Sequence, residues 1–203
     1  MTAAGTDRLL VVGASGLVGA ELIRQARRAG LVVRGVARHV RGEATAAMDL
    51  SERAQIAATL AEFAPTVVAV CSAWPDVDGC ERDPARSERE NVDTVANLLA
   101  ELRGAAVRVL FYSTDHVFDG QRDVYVESDA TNPLSVYAQH KRRVEQLLLA
   151  HGDALVARTA WVFGVELGKK NFMYRVRRAA LAGEPLRLPL GQTGCPTFAP
   201  WLA

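Results

Sequence analysis

Short apolar runs alternate along the chain with longer segments in which apolar residues recur at helical spacing. The runs predict strands and the segments predict helices. The predicted strands are residues 8–12, 31–37, 66–71, 106–112 and 154–158. The predicted helices are residues 16–29, 51–63 (with Ser51 as the cap), 87–103, 133–150 and 172–182. Such an alternation is typical of a parallel sheet.

The third predicted strand indicates how that sheet is covered. Residues 66–70 read Thr-Val-Val-Ala-Val, and a nearly continuous apolar run suits a strand that is buried on both faces. We therefore predict an α/β fold, a doubly wound (Rossmann) parallel sheet with helices on both faces. Residues 1–160 would form an NAD(P)-binding domain. Residues 161–203, where the pattern loosens, would begin an incomplete C-terminal substrate-binding portion.

Composition narrows the class of ligand. The 203 residues include 24 basic and 23 acidic side chains, a net charge of +1, which gives no electrostatic footprint for nucleic acid or an anionic membrane. No apolar run approaches the roughly 20 residues that cross a bilayer, and the first residues lack the layout of a secretory signal. We expect a cytoplasmic protein with a small-molecule ligand. The three cysteines form no CxxC pair, so neither a disulfide framework nor a metal site is predicted.

A glycine-rich turn follows the first predicted strand and opens the first helix. Gly13, Gly16 and Gly19 have the spacing GxxGxxG, with Ser15, Leu17 and Val18 between them. Glycines let the backbone approach a pyrophosphate, and the helix N-terminus attracts its charge. In this context the motif predicts a dinucleotide site formed by these residues. The alternative is a helix that merely packs close to a strand.

The end of the second strand bears on the choice of cofactor. An NAD site usually has an acid there to hold the ribose hydroxyls, but this chain has Arg38, with Arg41 soon after. A 2′-phosphate would find a cation, so NADP(H) is preferred over NAD(H). The alternative is a pair of solvated arginines. Asp49 and Leu50 could lie beside the adenine, although Asp49 could equally be a turn or cap residue.

Three residues form a candidate reaction centre. Tyr137 and Lys141 are four residues apart on a predicted helix and share one face, and Thr114 lies at the carboxyl end of the preceding strand. A free phenol has a pKa near 10, and a neighbouring ammonium and a nicotinamide would favour its ionised form. Tyr137 could then protonate a ketone oxygen that Thr114 holds by a hydrogen bond, while Lys141 binds the nicotinamide ribose.

The order of these motifs resembles the extended short-chain dehydrogenase/reductase family, and within it the dTDP-4-dehydrorhamnose reductase group. The similar segments extend beyond the tyrosine and lysine and cover nearly the whole chain. They are residues 113–120, 132–141, 158–164, 170–172 and 192–197. The resemblance implies that Thr114, Tyr137 and Lys141 are the catalytic triad. It also implies that Ser72 and Ala73 contact the cofactor, although the surrounding Cys71–Trp74 departs from the family's usual asparagine and alanines.

The resemblance also implies a nucleotide-sugar substrate and a possible homodimer. The implied substrate contacts are Asp115, His116, Val117, Phe118, Trp161 and Asn171. An indole can stack on a deoxysugar, although a tryptophan after a strand is equally often part of the core. The family's chains usually continue well past the 192–197 segment, so we expect the substrate portion to be incomplete in these 203 residues.

Three functions remain open at this point. The favoured one is NADPH-dependent reduction of the 4-keto group of a nucleotide-linked deoxysugar. A non-catalytic regulatory subunit is a second, since the methionine adenosyltransferase beta subunit resembles the same group. A sugar-nucleotide epimerase or dehydratase is a third, although Asp115-His116 lacks the second carboxylate that dehydratases generally have.

Overall fold

A six-stranded parallel sheet forms the centre of the molecule. The computed structural model describes residues 7–166, 168, 171–186 and 194–203. The strand order is β3-β2-β1-β4-β5-β6, and each neighbouring pair is parallel. The strands are β1 Arg8–Val12, β2 Val32–Ala37, β3 Ala46–Ala47, β4 Val67–Val70, β5 Arg108–Thr114 and β6 Ala154–Thr159. The predicted doubly wound fold is confirmed, and its direction of winding reverses between β1 and β4.

Helices connect the strands. They are α1 Leu17–Arg28, α2 Arg53–Phe63, α3 Val77–Arg82, α4 Pro84–Glu88, α5 Thr94–Glu101, α6 Val136–His151, α7 Phe172–Ala182 and α8 Ala199–Leu202. A π-helical segment, Arg89–Asp93, joins α4 to α5, and a 3₁₀ turn, Asp115–Val117, follows β5. The five predicted strands all occur, with ends that shift by one or two residues, and the predicted helix at 172–182 is confirmed.

Two apolar layers hold the helices against the sheet. Successive residues of a strand face opposite sides, so Leu10 and Val12 of β1 join one buried cluster while Leu9 and Val11 join another. The first cluster includes Leu98 of α5 and residues of α2 and α6, and the second includes residues of α1. Burial on both faces explains why β4, at the centre of the sheet, is almost entirely apolar.

Two local predictions need correction, and one short strand was not predicted. Ser51 does not cap α2, because its hydroxyl donates to Asp49 Oδ1 at 2.9 Å and the helix begins at Arg53 without a side-chain cap. The predicted helix 87–103 begins earlier, at Pro84, and the π-helical segment interrupts it. The two-residue edge strand β3 is too short to give a periodic signal, so the sequence did not indicate it.

The C-terminal part adds a small second sheet. Strands β7 Val162–Phe163 and β8 Thr197–Phe198 pair in parallel, and α8 packs on α1, where Gln25 Nε2 donates to Pro200 O at 2.7 Å.

A domain boundary at residue 160 stays a prediction. Lys170, Gln192 and Thr193 of the family-like segments lie outside the described residues. Within the described ranges, each helix is too short or too polar to span a membrane.

Candidate active site

The glycine-rich turn brings three backbone segments into contact. Gly13 has φ +88°, which favours glycine, and its N–H donates to Val36 O at 2.9 Å. A Cβ at Gly13 would lie 2.6 Å from Ser72 N, and one at Gly19 would lie 2.4 Å from Gly13 O. Gly16 caps α1 without a side-chain hydrogen bond, so the first N–H groups of the helix are left for another acceptor. This cradle fits an anion such as a pyrophosphate.

Replacing Gly19 with alanine should test the close packing of this turn. The new methyl group would overlap Gly13 O, and relieving the overlap would move the turn, so we expect unfolding to become about 1–3 kcal/mol easier and dinucleotide affinity to fall. Urea unfolding and fluorescence titration with NADPH measure the two effects. Gly104→Ala is the control, because an added Cβ there meets nothing within 4 Å, although its φ of +78° is also unfavourable for alanine. Equal stability and affinity in Gly19→Ala and the wild type would contradict this account.

A cleft of about 380 Å³ opens at the carboxyl ends of β1, β2 and β4. It brings together most of the predicted cofactor residues: Gly13, Ser15, Gly16, Arg38, Leu50, Ser72 and Ala73. Leu17, Val18 and Gly19 instead form the first turn of α1, behind the cleft surface. The sequence interpretation missed other lining residues, namely His39, Met48, Cys71, Glu90 and Thr94. Glu90 and Thr94 could not be found from the strand ends, because they come from the helical layer.

The guanidinium of Arg38, which the sequence suggested as a free cation for a 2′-phosphate, is paired with two carboxylates. Its Nη2 lies 2.8 Å from Glu90 Oε2 and its Nε lies 3.1 Å from Asp49 Oδ2. The hydrogen bond that Arg38 donates to Glu90 is the largest influence that raises the pKa of Arg38. Asp49 also accepts hydrogen bonds from the amide and hydroxyl of Ser51, so it serves as a turn residue, the alternative left open by the sequence.

Thr114 and Tyr137 lie next to residues that line a second cleft, at the ends of β5 and β6. Thr114 ends β5 and is buried, and its hydroxyl accepts from His116 N at 3.2 Å and donates to Asp115 Oδ1 at 3.3 Å. Tyr137 lies in the first turn of α6, which Ser135 caps by accepting from Ala138 N. The Tyr137 ring meets the His116 ring edge-on, with the centroids 6.4 Å apart.

The protonation of Tyr137 differs from the expectation. Burial raises the pKa of Tyr137 to about 12, with further contributions from the charges of Cys80 and Asp115. The protein alone therefore does not favour the ionised phenol, because desolvation and the nearby negative charges all raise its pKa. A protonated phenol is nevertheless the form that can act as an acid.

Lys141 is buried one turn further along α6. Its side chain is 3% exposed, and Nζ donates to Tyr112 O at 2.6 Å and lies 3.8 Å from the centre of the Phe111 ring. Burial lowers the pKa of Lys141 to about 7, and the charge of Glu145 opposes that shift. One ammonium donor is used by Tyr112, which leaves two for other acceptors.

The next turn of α6 carries a buried carboxylate that the sequence interpretation missed. Glu145 accepts from Ser113 Oγ at 2.6 Å, and Arg158 donates to both of its oxygens, from Nε at 3.0 Å and from Nη2 at 2.8 Å. Arg142 Nη1 lies 3.5 Å away. The network joins β5, α6 and β6 directly beside the lysine. Its signal in the sequence was an acid at the helical spacing of Tyr137 and Lys141.

A second cleft, of about 760 Å³, lies between the β5 and β6 ends and the small sheet. It includes four predicted substrate residues: Asp115, His116, Phe118 and Trp161. Val117 is fully buried and so cannot contact a ligand as predicted. Asn171 caps α7, accepting from Tyr174 N and donating to Gly164 O at 2.8 Å, so its amide is already used. Trp161 also packs edge-on against Phe172, so it contributes to local packing, and its contact with a sugar stays a prediction.

Comparison with known proteins identifies the family. A family model described as the RmlD substrate binding domain matches residues 7–203. The chain belongs to this family. A dTDP-4-dehydrorhamnose reductase from Burkholderia thailandensis is 35% identical over 195 residues, which are 95% of this chain and 62% of that protein. Membership confirms the resemblance inferred from the motifs.

Two solved structures have the same fold. A dTDP-4-dehydrorhamnose reductase from Clostridium acetobutylicum ATCC 824 is 26% identical, with a TM-score of 0.85 over 96% of this chain and 67% of that chain. MoeE5, solved in complex with UDP-glucose and NAD, is 28% identical, with a TM-score of 0.81 over 95% and 68% of the two chains. The present chain spans 51% to 67% of the length of three curated relatives.

Proposed function

We propose that this chain forms the cofactor-binding and proton-donating part of an NADPH-dependent reductase of the 4-keto group of a nucleotide-linked deoxysugar. The observation that carries the proposal is the placement of Thr114 at the end of β5 and of Tyr137 and Lys141 on the adjoining helix α6. The two clefts open at the same edge of the sheet, although none of the three residues lines either cleft. Relatives named as dTDP-sugar reductases support this substrate class.

The residues of the first cleft fit a dinucleotide. At Gly13 and Gly19 the absence of Cβ atoms lets the turn pack closely against Ser72 and the start of α1, and the uncapped start of α1 presents N–H donors to a pyrophosphate. Arg38, with Arg41 on the same cleft wall, supports a 2′-phosphate and hence NADPH. The structure of MoeE5 with NAD supports a nicotinamide cofactor in this fold.

Three side chains would each have a separate role in the reduction. A bound NADPH supplies the hydride. Tyr137 donates its phenolic proton to the carbonyl oxygen, and the buried environment keeps that proton in place until then. The Thr114 hydroxyl exchanges its hydrogen bond to Asp115 for one to the same oxygen as negative charge develops on that oxygen. Lys141, fixed by Tyr112 O, directs its remaining donors to the cofactor ribose.

The second cleft suits a sugar nucleotide. Trp161 and Phe118 offer apolar ring surface for a deoxysugar, and Arg158 and Arg122 line the same cleft and could meet phosphate charge. Asp115 and His116 directly follow Thr114, so a sugar held by them would place its ketone near the phenol of Tyr137.

Absorbance at 340 nm tests the proposal. We expect the purified chain to oxidise NADPH when dTDP-4-dehydrorhamnose is added, and not when dTDP-glucose, which has no ketone, replaces it. If NADPH binds, as shown by fluorescence titration, but its absorbance stays constant with the keto sugar, the chain is not a reductase of this substrate. A non-catalytic dinucleotide-binding role would then be favoured.

A further inference from the structure

Two carboxylates from different parts of the chain meet at Arg38. Glu90 contacts the guanidinium through Nη2 at 2.8 Å and Nη1 at 3.5 Å, and Asp49 contacts Nε at 3.1 Å. Arg38 and Glu90 both line the first cleft, where the Arg38 side chain is 48% exposed and that of Glu90 27%. A ligand in the cleft can therefore reach both side chains.

The backbone fixes Glu90 in this position. It belongs to the π-helical segment Arg89–Asp93, where the wider turn changes the direction of side chains relative to an α-helix. Its neighbour Asn91 is buried, and the Asn91 amide accepts from Trp74 N at 2.7 Å and donates to Trp74 O at 3.2 Å. Thr94 donates to the carbonyl of Glu90 at 2.8 Å. These contacts hold the segment in register, with Glu90 directed toward the cleft.

The part of the first cleft around Arg38 carries negative as well as positive charge. One guanidinium and two carboxylates give Arg38, Glu90 and Asp49 a combined charge of −1, which Arg41 on the same cleft wall brings to zero. A 2′-phosphate that approaches Arg38 must compete with a carboxylate for the same donors, whereas a ribose hydroxyl could donate to that carboxylate. The acid that an NAD site usually has after its second strand is absent from the sequence there, but Glu90 brings a carboxylate to Arg38 from the helical layer.

We infer that Glu90 is a specificity-determining residue of the cofactor cleft: it competes with a 2′-phosphate for Arg38 and so reduces the preference for NADPH over NADH. This inference rests on the proposed dinucleotide site. Asp49 is less suited to the role, because its Oδ1 is held by the amide and hydroxyl of Ser51.

Removing the Glu90 charge tests the inference. Dissociation constants for NADPH and NADH are measured by fluorescence at constant low ionic strength for the wild type, Glu90→Gln, Arg38→Gln and the double variant. We expect Glu90→Gln to increase the ratio of NADH to NADPH dissociation constants by roughly three- to tenfold, mainly through tighter NADPH binding. In the Arg38→Gln background the same change should have a much smaller effect, since the contested donors are gone.

Glu88→Gln is the matched control. Glu88 lies two residues before Glu90 in sequence, and the substitution removes the same charge from a surface ion pair with Arg143. A ratio in Glu90→Gln that matches the wild type or this control would overturn the inference while leaving the dinucleotide site intact. An equal gain with and without Arg38 would also overturn it, because competition for the guanidinium would not be the cause. If neither dinucleotide binds the wild type, the proposed site itself fails, and the inference fails with it.

Discussion

Replacing Tyr137 with phenylalanine should lower kcat for the keto sugar by about 10²–10⁴-fold while NADPH affinity stays within a factor of two of the wild type. The ring of phenylalanine can keep the edge-on contact with His116, so the fold and the cleft are preserved. What is lost is a phenolic proton that burial retains, since the pKa of Tyr137 is about 12. Steady-state kinetics at 340 nm with a parallel binding titration measure both quantities.

Tyr174→Phe is the control for this prediction. Tyr174 lies on α7, a different helix from the one that carries Tyr137 and Lys141, so the loss of its hydroxyl should leave kcat unchanged. A Tyr137→Phe variant that retains more than a tenth of the wild-type kcat would show that another group donates the proton.

Replacing Glu145 with alanine should destabilise the protein by about 3 kcal/mol, the lower end of the range for breaking a buried ion pair. The Glu145 side chain is 2% exposed, and its removal leaves Arg158 and the Ser113 hydroxyl without their shared acceptor. The cost stays at the lower end because Arg158 is 22% exposed and can reach water. Urea unfolding, followed by circular dichroism, measures the change.

A surface pair provides the comparison for Glu145. Glu101 bonds Arg53, whose side chain is 59% exposed, so Glu101→Ala should cost less than about 1 kcal/mol. If Glu145→Ala costs no more than Glu101→Ala, the buried network does not join β5, α6 and β6 as described. Replacing both Glu145 and Arg158 with apolar residues should recover part of the loss, since no charge is then left unpaired.

The fold could be predicted well because its signals are local. Apolar runs such as 66–70 mark strands that are buried on both faces. The GxxGxxG spacing marks a tight turn in which a side chain at Gly13 or Gly19 would overlap neighbouring backbone atoms. Tyr137 and Lys141 were found because their helical spacing places them on one face of a single helix.

The remaining features depend on contacts between distant segments. Glu90 reaches Arg38 across 52 positions of sequence, and Glu145 reaches Ser113 across 32, so neither partnership leaves a pattern in a short window. The raised pKa of Tyr137 likewise depends on burial by neighbouring elements, whereas the sequence showed only an adjacent lysine. Val117 was included with its neighbours in a substrate segment, but the 3₁₀ turn after β5 directs it into the core.

The transfer of deuterium from cofactor to sugar tests the proposed reductase most directly. The purified chain is incubated with dTDP-4-dehydrorhamnose and with NADPH that carries two deuterium atoms at C4 of its dihydronicotinamide. The product is analysed by mass spectrometry and NMR. The account predicts one deuterium at C4 of the sugar for each NADPH oxidised, and a much slower transfer in Tyr137→Phe. A sugar that changes configuration without gaining deuterium, or that is returned unchanged in the presence of bound NADPH, would contradict it.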